Sequence, residues 1–205
     1  MLKTVIFDMD GVIIDSEAQH AKASLNTFKE LGVDTDLDYC KSFTGSSSKK
    51  MAETAITDFS LDITTNALLD KLNLAKKKLH EKEGYIPVEG VEALIKRLYK
   101  DGVQLAIASS SSPKEIETVV KKLGIKKYFE KLVSASSVAN PKPSPDTFLL
   151  ALEKLGAAPE NTVIIEDSTF GVKAAKAANV ASFQDHTGGP QRRGWHPQIC
   201  PSGYR

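Results

Sequence analysis

Apolar and β-branched residues gather in short runs, separated by longer stretches of helical period. Residues 4–7, 104–108 and 162–165 read as buried strands, and 131–134 as a weaker fourth. Between them apolar positions recur three and four residues apart. One stripe is Leu94, Leu98 and Tyr99, a second Ile116, Val119, Val120 and Leu123, a third Phe148, Leu149, Leu152 and Leu155. The helices stop at Gly102, Gly124 and Gly156, where a glycine can close the last turn. Strands alternating with helices predict a parallel sheet with right-handed crossovers, an α/β, Rossmann-like core.

Residues 16–87 break this alternation. They are almost wholly helical in pattern, carry the run Lys76-Lys77-Lys78, and show no comparable strand. The expectation is a discontinuous core of residues 1–15 and 88–183, a helical-bundle cap of residues 16–87, and a tail of residues 184–205. Residues 15–17 and 84–90 are the expected hinges. A helical lid over strand-end groups would keep water from a reaction.

Composition narrows the class. Apolar residues make up 41% of the 205, and 27 basic residues nearly balance 26 acidic ones. No broad basic surface for nucleic acid is implied. Cys40 and Cys200 lack metal-ligand spacing and are too few for a disulfide framework, which points to a reducing compartment. No charged-then-apolar leader is visible, and no apolar run approaches the roughly 18 residues of a membrane span. A soluble, cytoplasmic, monomeric protein is expected.

Chemistry-bearing residues fall just after successive strands. Asp8 and Asp10 follow the first, Ser109 the second, and Glu166-Asp167 the run 162–165, while Lys142 lies in Pro141-Lys142-Pro143-Ser144-Pro145. Two buried like charges are costly unless a cation or a reacting group compensates them. Each piece has a plainer reading. Asp8/Asp10 could be a turn, Ser109 a helix N-cap, Lys142 a surface lysine and Glu166-Asp167 a helix cap. Joint placement at strand ends, where open α/β sheets bind ligands, favours a site. Such oxygen ligands suit Mg²⁺ with a substrate phosphate.

The order Asp8-Met9-Asp10-Gly11-Val12, Ser109, Lys142-Pro143-x-Pro145-Asp146 and Ile165-Glu166-Asp167-Ser168-x-x-Gly171 closely resembles the haloacid dehalogenase superfamily. More narrowly it is similar to the β-phosphoglucomutase-like branch of phosphatases and mutases, over roughly residues 1–180. The resemblance implies that Asp8 is the nucleophile, forming an aspartyl-phosphate, and Asp10 the acid and base. It implies Mg²⁺ on the Asp8 carboxylate, the Asp10 carbonyl and Asp167, with Glu166 assisting. Ser109 and the Ser110 amide would bind phosphoryl oxygens, and Lys142 would neutralise charge.

In the cap, residues 44–50 resemble a substrate loop. Three residues after Gly45, where the mutases carry arginine, stands Ser48. Lys49 or Lys50 could serve as point charges, or simply be solvated. His20 matches a cap-hinge histidine, or is a surface residue. The expected reaction is hydrolysis of a small sugar or polyol phosphate. The alternatives are a β-phosphoglucomutase-type mutase and a catalytically weak, truncated binding protein of this fold. Residues 181–205 have little periodicity, many Gly and Pro, and half the chain's histidines. They read as loop or disorder, an aberrant end on a truncated enzyme.

Overall fold

A computed structural model describes residues 2–43 and 48–184. In chain order the elements are β1 (Thr4–Phe7), α1 (Ser16–Glu30), α2 (Leu37–Lys41), α3 (Ser48–Asp58), α4 (Thr65–Glu83) and α5 (Val91–Lys100). There follow β2 (Gln104–Ser109), α6 (Pro113–Lys122), β3 (Lys131–Ser134), α7 (Asp146–Leu155), β4 (Thr162–Glu166), α8 (Thr169–Ala177) and β5 (Ala181–Gln184). They divide into two compact units. One is the chain up to Asp15 together with that from Tyr85 onward, and the other is Ser16–Gly84.

The first unit is a parallel sheet of order β3-β2-β1-β4-β5. The strands are short and apolar on both faces because helices cover both. On one face Val5, Phe7, Leu105 and Ile107 pack with Ile95 of α5 and Val119 of α6. On the other, Ile6, Ala106, Ala108 and Ile164 pack with Phe148 of α7 and Ala174 of α8. Small residues at 106 and 108 leave room for the fully buried Phe148 ring, whose truncation to alanine would cost about 3–5 kcal/mol.

Three expectations are corrected here. Residues 181–184 are not loop but β5, paired in parallel with β4 from Val163↔Ala181 to Glu166↔Gln184. Their mixed polarity hid the strand, since a backbone ladder rather than an apolar face defines it. Tyr99 and Leu149 are 53% and 44% exposed, so neither belongs to the buried stripe of its helix. The sheet takes Val91, Ile95 and Leu98 from α5, and Phe148, Ala151, Leu152 and Leu155 from α7. Finally, the N-cap of α6 is Ser112, whose side chain accepts from the Glu115 amide, and not Ser109. The expected tail lies outside the described residues from position 185 onward.

The second unit packs α1, α2, α3 and α4 around Phe28, Ala52, Ala55, Leu68 and Leu72. Tyr39 stacks edge-on with Phe28, Phe43 and Phe59, and its hydroxyl donates to Asp58 at 2.7 Å. The ends of this unit are tied to each other: Gln19 Nε2 donates to the Gly84 carbonyl at 2.9 Å, and Lys22 pairs with Glu83. Among the described residues no helix is long and apolar enough to cross a membrane.

Candidate active site

The site is built where β1, β2 and β4 end. The Asp8 amide donates to the Ile165 carbonyl at 2.9 Å, carrying the β1–β4 pairing one residue past the strand. Met9 is fully buried, and its carbonyl accepts the amides of Ile13 and Ile14 at 2.8 and 3.0 Å. Because successive side chains in extended backbone alternate, sinking Met9 into the core turns Asp8 and Asp10 to the same side. Gly11 follows at φ +80°, and a Cβ there would lie 1.9 Å from Asp167 Oδ2. Only a glycine both takes that backbone and lets Asp167 approach it.

Lys142 joins the pieces. Its Nζ donates to Asp8 Oδ1 at 2.6 Å, to Glu166 Oε1 at 2.7 Å and to the Ala108 carbonyl at 3.2 Å, and it sits 4.7 Å from the centre of the Phe148 ring. The side chain is only 6% exposed, so it is no surface lysine. Burial pulls its pKa down, but Asp8 and Glu166 together push it above the ordinary value, and it stays an ammonium. At Asp8, by contrast, burial prevails. It and the charges of Glu166 and Asp10 outweigh Lys142 and push the carboxyl up to about 7.

Glu166 is held at both oxygens. Oε1 takes Lys142, while Oε2 accepts the Ser168 amide at 2.8 Å and its hydroxyl at 2.9 Å. Ser168 in turn caps α8 by accepting from the Gly171 amide at 3.0 Å. A Cβ at Gly171 would stand 1.7 Å from Glu166 Oε1, so the helix approaches the carboxylate through a bare α-carbon.

Carboxylate oxygens of Asp8, Glu166 and Asp167 lie within 4.8 Å of one another. An all-oxygen set of this kind fits a hard divalent cation. The charges fit as well: buried Asp8 and Glu166 share one ammonium, which leaves negative charge in excess. Glu166 already takes three hydrogen bonds on its two oxygens.

Ser109 is buried at the end of β2, and its Oγ accepts the Ser111 amide at 3.0 Å, which leaves its own proton to donate. Ser110 is exposed. Sequence reasoning missed Ser111, whose hydroxyl donates to Asp10 Oδ2 at 2.8 Å. It missed Ser168 and Phe148 as supports as well. The signal for Ser111 was the run 109–112, two residues on from a candidate strand-end serine. His20 is half-buried on α1, and Ser48 and Lys49 are exposed on α3, all in the other unit. Lys49 lies 3.8 Å from Glu53. Gly45 is outside the described residues.

A family model described as haloacid dehalogenase-like hydrolase matches residues 5–184. A fructose-1-phosphate phosphatase of Escherichia coli is 30% identical over 177 residues, covering 86% of this chain and 92% of that protein. A phosphorylated carbohydrates phosphatase of Thermotoga maritima is 32% identical over 187 residues, covering 87% and 82%. The crystal structure of a β-phosphoglucomutase from Clostridium difficile superposes with a TM-score of 0.71 at 27% identity, covering 90% of this chain and 84% of that one.

Proposed function

The chain belongs to the haloacid dehalogenase-like hydrolases, enzymes of phosphoryl transfer in this branch, and from that premise we propose that it hydrolyses a small sugar or polyol phosphate through Asp8. The observation that carries the reading is Lys142, buried between Asp8 and Glu166 at 2.6 and 2.7 Å.

An oxygen of Asp8 attacks phosphorus, the bond to the sugar oxygen breaks, and the leaving alkoxide takes a proton from Asp10. Asp10 then takes a proton from water, whose oxygen attacks the aspartyl-phosphate. The bond to Asp8 breaks and inorganic phosphate departs. Lys142 offsets the negative charge that gathers on Asp8 and the phosphoryl oxygens. The Ser109 hydroxyl and the Ser110 amide donate to those oxygens. Asp8, Asp167 and the Asp10 carbonyl would hold Mg²⁺, with Glu166 assisting, and the bound ion supplies further charge neutralisation.

Water rather than a second sugar oxygen is the acceptor in this reading. Ser48 carries no charge with which to grip a second phosphate.

The test is turnover of fructose 1-phosphate and of β-glucose 1-phosphate with and without Mg²⁺, following released phosphate and glucose 6-phosphate. Phosphate release that needs the metal and vanishes in Asp8→Asn is expected. Borohydride added during turnover should convert position 8 alone to the alcohol, read by peptide mass. Glucose 6-phosphate formed without phosphate release would replace hydrolysis by the mutase reaction. Full activity in Asp8→Asn would end the mechanism.

A further inference from the structure

We propose that Ser111 is a positioning residue for Asp10, and that Ser134 holds the stretch of backbone from which Ser111 acts. This rests on the reading of Asp10 as the proton carrier and goes beyond it by saying what aims that carboxylate.

The connection runs through contacts from three strand ends. Ser111 Oγ donates to Asp10 Oδ2 at 2.8 Å, bridging the loops that follow β2 and β1. The Ser111 amide donates to Ser109 Oγ at 3.0 Å, and its carbonyl accepts from Ser134 Oγ at 2.7 Å. Ser134 is the last residue of β3 and is 3% exposed. Its oxygen also accepts the Ser136 amide at 3.2 Å and lies 2.9 Å from Ser136 Oγ. A hydroxyl has one proton to give and two lone pairs. With the Ser134 proton on the Ser111 carbonyl, Ser136 is the donor of that pair. That relay ends on the Ser111 carbonyl, and a separate donor, the Ser111 hydroxyl, reaches Asp10.

Ser111 is therefore pinned at both its N–H and its C=O, and its hydroxyl is directed at one oxygen of the carboxylate. An unpinned serine would divide its time among rotamers and other acceptors, and ordering it would cost entropy. The hydroxyl occupies Oδ2 and fixes the rotation of the carboxylate, leaving Oδ1 as the oxygen without this donor. The transferable proton is thereby assigned to Oδ1. A general acid must hold its proton within reach of the leaving oxygen, and a freely turning carboxylate does so only part of the time. The amide that holds Ser109 belongs to the backbone and survives Ser111→Ala, so what the variant loses is the side-chain bond to Asp10.

The experiment compares phenyl phosphate with p-nitrophenyl phosphate under saturating Mg²⁺, using kcat/KM, which reports formation of the aspartyl-phosphate. Phenolate is the poorer leaving group and needs its proton; p-nitrophenolate needs it far less. Ser111→Ala should lower kcat/KM on phenyl phosphate about tenfold, the order of one hydrogen bond to a charged group. On p-nitrophenyl phosphate the loss should be about threefold or less, and Ser111→Thr should restore both. Ser134→Ala should give a smaller loss with the same preference between esters. In an Asp10→Asn background, Ser111→Ala should cost nothing further.

Equal losses on the two esters, or an added loss in the Asp10→Asn background, would overturn the proposal. If Ser111→Ala does not fold by thermal melting, Ser111→Cys carries the same comparison. Asp10→Asn with wild-type kcat/KM on phenyl phosphate, or a wild-type protein inert to both esters, would instead overturn the reading of Asp10 beneath it.

Discussion

Replacing the proposed nucleophile should stabilise the metal-free protein at alkaline pH while removing turnover. Burial first, then the charges of Glu166 and Asp10, raise the Asp8 carboxyl from 3.8 to about 7 against the pull of Lys142. In the unfolded chain the group returns to its ordinary value. The folded state thus binds more protons than the unfolded one between those two values. Its contribution to stability is fully present below pH 3.8 and is lost as pH rises through about 7. At about 1.4 kcal/mol per tenfold change in proton affinity, the loss comes to ~4 kcal/mol. Asparagine carries no charge and has no such slope, but it gives up the 2.6 Å charged bond to Lys142, worth about 1.5–3 kcal/mol. Asp8→Asn should therefore gain about 1–3 kcal/mol at pH 8 in EDTA, a Tm rise of about 2–10 °C for a chain of this size. At pH 5 about two-thirds of the loss is recovered by wild type, so the variant becomes the less stable protein. Added Mg²⁺ should raise the wild-type Tm at pH 8 and leave the variant nearly unmoved. Thermal or urea unfolding at the two pH values measures all of this. Parallel pH dependences of the two proteins would refute the electrostatic argument.

Other perturbations have outcomes fixed by the same geometry. Lys142→Met removes the partner of two buried carboxylates and should cost about 3–5 kcal/mol in urea unfolding at pH 7.5, with turnover abolished. Gly11→Ala places a methyl 1.9 Å from Asp167 Oδ2, so the Mg²⁺ concentration for half-maximal activity should rise about 10–100-fold. Cys40 is buried and its thiol is pushed up to about 11, by burial and then by Asp36. Its alkylation at pH 8 should be about a hundredfold slower folded than in urea, read from the mass of the Cys40 peptide. Equal rates would show that the second unit opens readily around that thiol.

The site was legible to the extent that strand ends are. Asp8, Ser109 and Glu166 each follow or end an apolar run of four or five residues, and that punctuation survives in one dimension. Lys142 was legible only through its motif, because nothing in a proline-rich loop announces a side chain that is 6% exposed. Ser111 was legible only as a member of the serine run 109–112, and its role was not. Its partner Asp10 lies 101 residues away, and their contact depends on how two loops are pinned. The same limit explains Tyr99 and Leu149. Helical period gives an apolar stripe, but where the sheet meets that stripe decides which edge of it is covered. In β5 the information sits in the backbone ladder to β4, for which Ala181-Ser182-Phe183-Gln184 carries no distinctive pattern.

The chain leaves the sheet unit and returns to it at neighbouring points. The Asp15 amide donates to the Ile86 carbonyl and the Val88 amide to the Ile13 carbonyl, at 2.8 and 3.0 Å. From the other side Gln19 and Lys22 tie down Gly84 and Glu83. Whatever lies between two such points closes a loop whose ends are already together, and loop-closure entropy grows only slowly with length. Residues 16–84 could thus be shortened, lengthened or exchanged for a foreign insert with little thermodynamic effect on the sheet unit. Diversification of the inserted unit and preservation of the phosphoryl-transfer machinery become nearly independent problems, for natural selection and for a protein engineer alike.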